Sequence, residues 1–183
     1  MKLLDNIRLY VHFRSLRQLL DASRRQRGPR PVSLESAKSV GIYFDGTDVD
    51  ARKTAESFAQ ELKKQGKQVR ILAYLDLDVA DSDFPFPSFT RKQVDWAFRP
   101  KSEALQHFLE QSFDLFFCLN TQSDLLSDYV ASLCRAALKV GPVSKNTSAY
   151  DIMIDAKPGL GSSQLIQQML GLLQKTNVQY QPA

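Results

Sequence analysis

The chain has 183 residues, of which 43% are hydrophobic and 24% are charged, a composition typical of a globular domain and not of a disordered chain. No apolar run approaches the roughly 20 residues that a membrane-spanning helix requires, and the N-terminus lacks the apolar core of a secretory signal. We therefore expect a cytoplasmic protein in which Cys118 and Cys134 are reduced core residues.

Positive charge is concentrated at the start of the chain. The first 30 residues contain eight basic and two acidic side chains, a net charge of +6, whereas the remaining residues contain 16 basic and 18 acidic side chains, a net charge of −2. Arginine is a preferred partner of phosphate and other oxyanions. The predicted contacts to an acidic partner are Arg14, Arg17, Arg24, Arg25, Arg27 and Arg30.

Residues 2–22 contain no glycine or proline and predict a helix. Its apolar side chains fall on two opposite sides, so this helix is expected to contact two different surfaces. Gly28 and Pro29 prevent its continuation. We predict that residues 1–31 form a basic helix and linker that precede a Rossmann-like α/β domain at residues 32–183.

Strands and amphipathic helices alternate after this segment. The alternation predicts a single doubly wound, mainly parallel sheet of about six strands with helices on both faces. FDLFFCL (113–119) is an unbroken apolar run, as expected of a central strand buried on both sides. The predicted elements in chain order are strand 39–44, helix 50–65, strand 69–75, strand 94–98, helix 101–111, strand 113–119, helix 123–136, strand 138–141, strand 151–155 and helix 162–175.

Ligands of open α/β sheets bind beyond the carboxyl ends of the strands. The polar side chains that follow the first strand and the strand at 113–119 are therefore the candidate ligand pocket, which consists of Asp45, Thr47, Asn120 and Gln122. These tips lack the glycine patterns of phosphate-binding loops. The tip at 157–163 (KPGLGSS) is richer in glycine and serine, which also suit the start of a helix.

None of the predicted strand tips carries histidine or cysteine. His12 and His107 fall in predicted helices, where we expect them at the surface or its boundary. The acidic residues near positions 45–50 suit a turn and a helix N-terminus, and those at 76–83 lack the pattern of a calcium loop. The sequence therefore predicts no catalytic residue, no metal site and no cofactor.

Phe113-Asp114-Leu115 and the later Lys139-Val140-Gly141 resemble two strands in the N-terminal lobe of heptosyltransferase-like glycosyltransferases. This resemblance covers about residues 39–143. It implies a Rossmann-like fold, but not sugar transfer, because the glycine-rich first loop is replaced by Asp45-Gly46-Thr47-Asp48 and the second lobe has no counterpart in these residues.

The whole chain more closely resembles a small bacterial family of uncharacterised proteins. The segments that carry this resemblance are the basic N-terminal helix, FDLFFCLN, LKVG (138–141) and YDIMID (150–155). It implies one α/β domain and no established activity.

Three functions remain open at this point. The first is a non-enzymatic binding module whose basic N-terminal segment docks on RNA, on the ribosome or on another acidic surface. The alternative is an α/β domain that binds a small molecule, nucleotide or nucleotide sugar, derived from a glycosyltransferase-like lobe, with or without catalytic activity. The third is peripheral membrane contact through the N-terminal helix, which its split apolar face disfavours.

Overall fold

The computed structural model describes residues 2–23, 32–77, 84–157 and 159–178. Within these residues the chain forms five α-helices, one short 3-10 helix and six β-strands. The elements are α1 (Lys2–Ser23), β1 (Ser39–Asp45), α2 (Val49–Lys64), β2 (Gln68–Leu75), β3 (Ser88–Thr90), the 3-10 helix (Arg91–Gln93), α3 (Glu103–Glu110), β4 (Ser112–Cys118), α4 (Leu125–Leu133), β5 (Arg135–Pro142), β6 (Ile152–Ile154) and α5 (Ser162–Val178).

The six strands form one parallel sheet in the order β3-β2-β1-β4-β5-β6. The first strand, β1, lies in the middle of the sheet. β2 and β3 extend the sheet on one side of β1, and β4 pairs with the other side of β1. The winding direction reverses between β1 and β4, and a crevice opens at such a switch point beyond the strand ends. The predicted single, doubly wound parallel sheet is confirmed.

Two hydrophobic cores lie on the two faces of this sheet. One core contains buried side chains of α2 and α5, and the other contains those of α1, α3 and α4. Adjacent residues of β4 serve the two cores, since Phe117 belongs to the first and Phe116 to the second, and both are 0% exposed. The prediction that this apolar run is a central strand buried on both sides is confirmed.

The predicted strand at 94–98 is wrong. The outer strand is instead the three-residue β3, and residues 94–100 form a closed turn held by an antiparallel bridge between Val94 and Pro100. Asp95 organises this turn, because its Oδ1 accepts the N–H groups of Ala97 and Arg99 and its Oδ2 pairs with the Arg99 guanidinium at 2.8 Å.

The boundary between α4 and β5 also differs from the prediction. α4 ends at Leu133 and β5 already begins at Arg135, whereas the sequence predicted a helix to residue 136. The buried Lys139 stabilises this helix end, because its ammonium group donates to the carbonyl oxygens of Ala131 and Ser132 at the helix C-terminus.

α1 packs on the sheet domain through one side only. Leu16 is buried with α4 residues in the second core, and Arg8 stacks over the Phe98 ring at 3.8 Å. The expectation that His12 lies at the surface is wrong: it is 1% exposed, and its Nδ1 donates to the Ala97 carbonyl oxygen at 3.0 Å. None of the described helices has the length and hydropathy needed to cross a membrane.

Candidate functional site

A pocket of about 650 Å³ lies at the switch point between the carboxyl ends of β1 and β4. All four residues of the candidate ligand pocket line it, because the tips of neighbouring parallel strands meet at one edge of the sheet. We call this cavity the switch-point pocket. Its lining is Phe44, Asp45, Thr47, Asp48, Ala51, Leu119, Asn120, Thr121, Gln122, Ser123, Asp124 and Ser162.

The β4 side of the pocket presents amide groups. Asn120 bridges to the neighbouring strand, because its Oδ1 accepts the N–H of Asp45 at 2.7 Å. This bond uses the carbonyl of the side chain and leaves the amide N–H₂ as a donor. Gln122 is exposed, so both the carbonyl oxygen and the N–H₂ group of its side chain are accessible to a ligand.

The β1 side of the pocket is a loop held by several hydrogen bonds. Asp45 Oδ1 accepts the N–H of Thr47 at 2.9 Å, and Thr47 Oγ1 in turn accepts the N–H of Asp76 at 2.9 Å. Arg52 also clamps the loop by donating to the carbonyl oxygens of Gly46 and Thr47. Within the described residues, Asp45 Oδ2 makes no hydrogen bond, so one carboxylate oxygen remains as an acceptor.

Two helices begin at the pocket, and the N-terminus of each is capped by a carboxylate of the chain. Asp48 caps α2 by accepting the N–H of Asp50 at 2.6 Å, and Asp124 caps α4 by accepting the N–H of Ser127 at 2.7 Å. These carboxylates occupy the positions in which a helix N-terminus would hold a phosphate. Desolvation raises the pKa of Asp124, and the charge of Asp45 raises it further.

Sequence reasoning missed the parts of the pocket that Asp48, Asp124 and Ser162 contribute. Each of these residues stands at the start of a helix. The motif Ser123-Asp124 before an apolar run signals a helix cap, but a cap signal is local and does not reveal which helix starts converge. Only the sheet order places these starts around one cavity.

The described pocket lining contains hydrogen-bonding groups but neither histidine nor cysteine. Cys118 lies at the end of β4 and is 0% exposed. Burial raises the pKa of its thiol to about 12, so the thiolate that a nucleophile requires does not form near neutral pH. Among the described residues, no group of three or more His, Cys, Asp or Glu side chains has a metal-binding arrangement.

Two of the six predicted arginine contacts lie in the described part of the chain. Arg14 and Arg17 are exposed on α1, and Arg14 donates to the Tyr10 hydroxyl at 3.3 Å. No carboxylate of the described residues forms an ion pair with either guanidinium. Arg24, Arg25, Arg27 and Arg30 lie outside the described residues.

Comparison with known proteins identifies a family for nearly the whole chain. The sequence model of a family of unknown function, DUF6913, matches residues 10–175. This match includes most of α1 together with all six strands of the sheet. No curated protein and no solved structure is significantly similar to the chain.

Proposed function

The chain belongs to the DUF6913 family, whose function is unknown, and we propose that it binds a small molecule rich in hydroxyl groups in the switch-point pocket. One observation carries this proposal. Loops that are 75 residues apart in sequence are locked together by the bond from Asp45 to Asn120, and both loops retain unused hydrogen-bonding groups at the same cavity. Such convergence of a few polar groups in a preformed pocket is typical of ligand sites.

The available groups suit hydroxyls or amines better than phosphates. The Asp45 carboxylate accepts hydrogen bonds, and the amide groups of Asn120 and Gln122 donate and accept them. Asp48 and Asp124 add negative charge, which repels an anion at short range. A monosaccharide or a nucleoside therefore fits the pocket better than its phosphorylated form. The resemblance of residues 39–143 to a glycosyltransferase lobe also supports a sugar-like ligand.

Thermal unfolding with a ligand panel tests this proposal. Monosaccharides, polyols and nucleosides are compared with the corresponding phosphates, and a neutral compound at 100 times its dissociation constant stabilises the fold by about 2.7 kcal/mol. We expect stabilisation by at least one neutral compound and weaker stabilisation by its phosphate.

An isosteric variant locates the effect in the pocket. Asn120→Asp keeps an oxygen that accepts the Asp45 N–H but replaces the N–H₂ donor with a second acceptor, so the stabilisation should disappear. Asp50→Asn, which changes an exposed carboxylate outside the pocket lining, is the matched control. No stabilisation by any compound in the panel, or equal stabilisation of the Asn120→Asp variant, would contradict the proposal.

A second candidate function is docking of the basic N-terminal segment on RNA. The observation that favours it is the orientation of α1: one side is anchored by His12 and Leu16, which leaves Arg14 and Arg17 displayed on the surface. Filter binding to RNA over a salt series tests this function, because affinity that depends on phosphate contacts falls steeply with salt. A salt-independent affinity, or no binding at low salt, would contradict it.

A further inference from the structure

A second cavity, of about 710 Å³, lies between α1 and the loop that follows β5. We call it the α1 groove. Phe13, Leu16 and Leu20 of α1 form one wall, Val143 and Lys145 contribute to the other, and the start of α4 closes the space between them. The lining of the groove differs from that of the switch-point pocket because it includes the basic side chains of Arg17 and Lys145, although both cavities include Ser123 and Asp124.

The walls of the groove expose apolar surface. Phe13 and Val143 are 50% and 52% exposed, although burial of a large apolar side chain lowers the free energy of the protein. The buried His12 ring packs edge-on against Phe13, with 5.4 Å between the ring centroids and an interplanar angle of 87°. Phe13 therefore presents an aromatic ring in a supported orientation, which is suited to stacking on a planar ring.

The same groove carries two cations. Arg17 and Lys145 line it from opposite walls, and no carboxylate of the described residues forms an ion pair with either. Two carboxylates, those of Asp124 and Asp128, also line the groove at the start of α4. Asp124 caps this helix, and the two oxygens of Asp128 accept the hydroxyls of Ser123 at 2.5 Å and Ser144 at 2.6 Å. The groove thus combines an aromatic platform and two cations on its walls with two hydrogen-bonded carboxylates at the start of α4.

We propose that the α1 groove binds single-stranded RNA, with a base stacked on Phe13 and the adjacent phosphates at Arg17 and Lys145. This inference rests on the second proposed function and names the form of RNA and the residues that read it. A groove that combines an exposed aromatic ring with cations is typical of sites that bind single-stranded nucleic acids. In duplex RNA the bases are stacked on one another and do not reach such a ring.

The shape of the groove favours RNA over a lipid surface. Phe13 and Val143 lie in the walls of a cavity, whereas a membrane-lying helix needs its apolar face on a convex outer surface. The exposed Tyr10, on the same helix and 63% exposed, provides a further aromatic ring next to Arg14. The segment that follows α1 in sequence contains four further arginines.

Filter binding with the full-length protein tests the inference. The probes are a single-stranded RNA 12-mer, a duplex of the same length and heparin, each over a salt series. We expect preference for the single strand, and Phe13→Ala should weaken its binding roughly 5- to 150-fold, the range of one lost base–aromatic stack. Phe13→Tyr keeps the aromatic face and should restore most of the affinity.

Loss of either cation should change the salt dependence of RNA binding. Arg17→Ala and Lys145→Ala should each lower the slope of log affinity against log salt by about 0.7, the value of one phosphate contact on a single strand. Lys53→Ala, an exposed lysine of α2 on the opposite face of the sheet, is the matched control and should leave the slope unchanged. Circular dichroism melts verify that each variant is folded.

The outcomes separate this inference from the function on which it rests. If RNA binds but the Phe13 and Lys145 variants bind as the wild type does, docking by the basic segment survives and the groove is excluded. If no RNA binds, both fail. Equal affinity for the duplex or heparin, or binding of anionic vesicles in preference to RNA, would overturn the inference.

Discussion

The central strand pair β1–β4 is tied by a polar side chain at each end, but the two ties differ in what they leave unused. At the amino end, Asp114 Oδ2 accepts the N–H groups of Lys38 and Ser39 and the Ser39 hydroxyl, and the Asp114 N–H donates back to that hydroxyl. At the carboxyl end, Asn120 accepts a single N–H, from Asp45. The first tie is a reciprocal clamp between strands, whereas the second keeps a donor at the edge of a pocket.

From this difference we expect a stabilising contact at the amino end and a ligand-binding contact at the carboxyl end. The amino-end clamp engages one carboxylate oxygen with three donors, so its removal should mainly affect folding. The carboxyl-end tie uses half of an amide group, so its alteration should mainly affect ligand binding. Substitutions in β4 and at the two ties test this contrast.

The largest effect is expected from breaking β4 itself. Phe117 is 0% exposed and packs edge-on against Phe58 of α2, with 5.5 Å between the ring centroids. Phe117→Asp places a charge in the first core. It should lower the free energy of unfolding by more than about 4 kcal/mol, which is enough to abolish soluble folded protein. Expression and circular dichroism measure this, and a variant that folds normally would refute the central position of β4.

The second-largest effect on stability is expected from removal of the amino-end clamp. Asp114→Ala leaves two backbone N–H groups and the Ser39 hydroxyl without their acceptor, and we expect a loss of about 2 kcal/mol in the free energy of unfolding. Urea denaturation measures this loss. Asp151→Ala is the comparison variant, because Asp151 accepts one backbone N–H among the described residues, that of Lys139. This variant should lower the free energy of unfolding by about 1 kcal/mol. Equal losses would show that the clamp has no special role.

The amino-end clamp should also make stability depend on pH. Desolvation alone would raise the pKa of Asp114, but the N–H groups of Ser39 and Lys38 hold it below its ordinary value. Since the folded pKa is below the unfolded value of about 3.9, this stabilisation is present above that value and is lost as the pH falls through the folded pKa. Urea melts from pH 6 to pH 2 should show a shallower acid decline for Asp114→Asn than for the wild type.

The smallest effect on stability is expected at the carboxyl end. Asn120→Asp keeps the acceptor for the Asp45 N–H but adds a carboxylate near Asp45 and Asp124, so we expect a change of about 1 kcal/mol or less. The same variant should lose the ligand-induced thermal stabilisation. A large loss of stability with intact ligand binding would reverse the assignment of the two ends.

The sequence predicted the sheet and four of the twelve residues that line the pocket because both follow from strong local patterns. The run at 113–119 is too apolar for an edge strand, and the tips of parallel strands necessarily share one edge. β3 was missed because three residues carry no periodicity, whereas the apolar VDWAF segment resembles a strand until Asp95 closes it into a turn. The burial of His12 was also missed, since a helix with two apolar sides does not reveal which side packs.

The most direct test of ligand binding in the switch-point pocket is chemical-shift mapping of backbone amides by two-dimensional NMR, with the neutral compound that gives the largest thermal shift. We expect the perturbed amides to cluster at residues 45–48 and 119–124, while the amides of Lys38, Ser39 and Asp114 remain unchanged. Perturbations centred on the amino end, or none at either strand tip at saturating compound, would contradict the claim that the switch-point pocket binds a ligand.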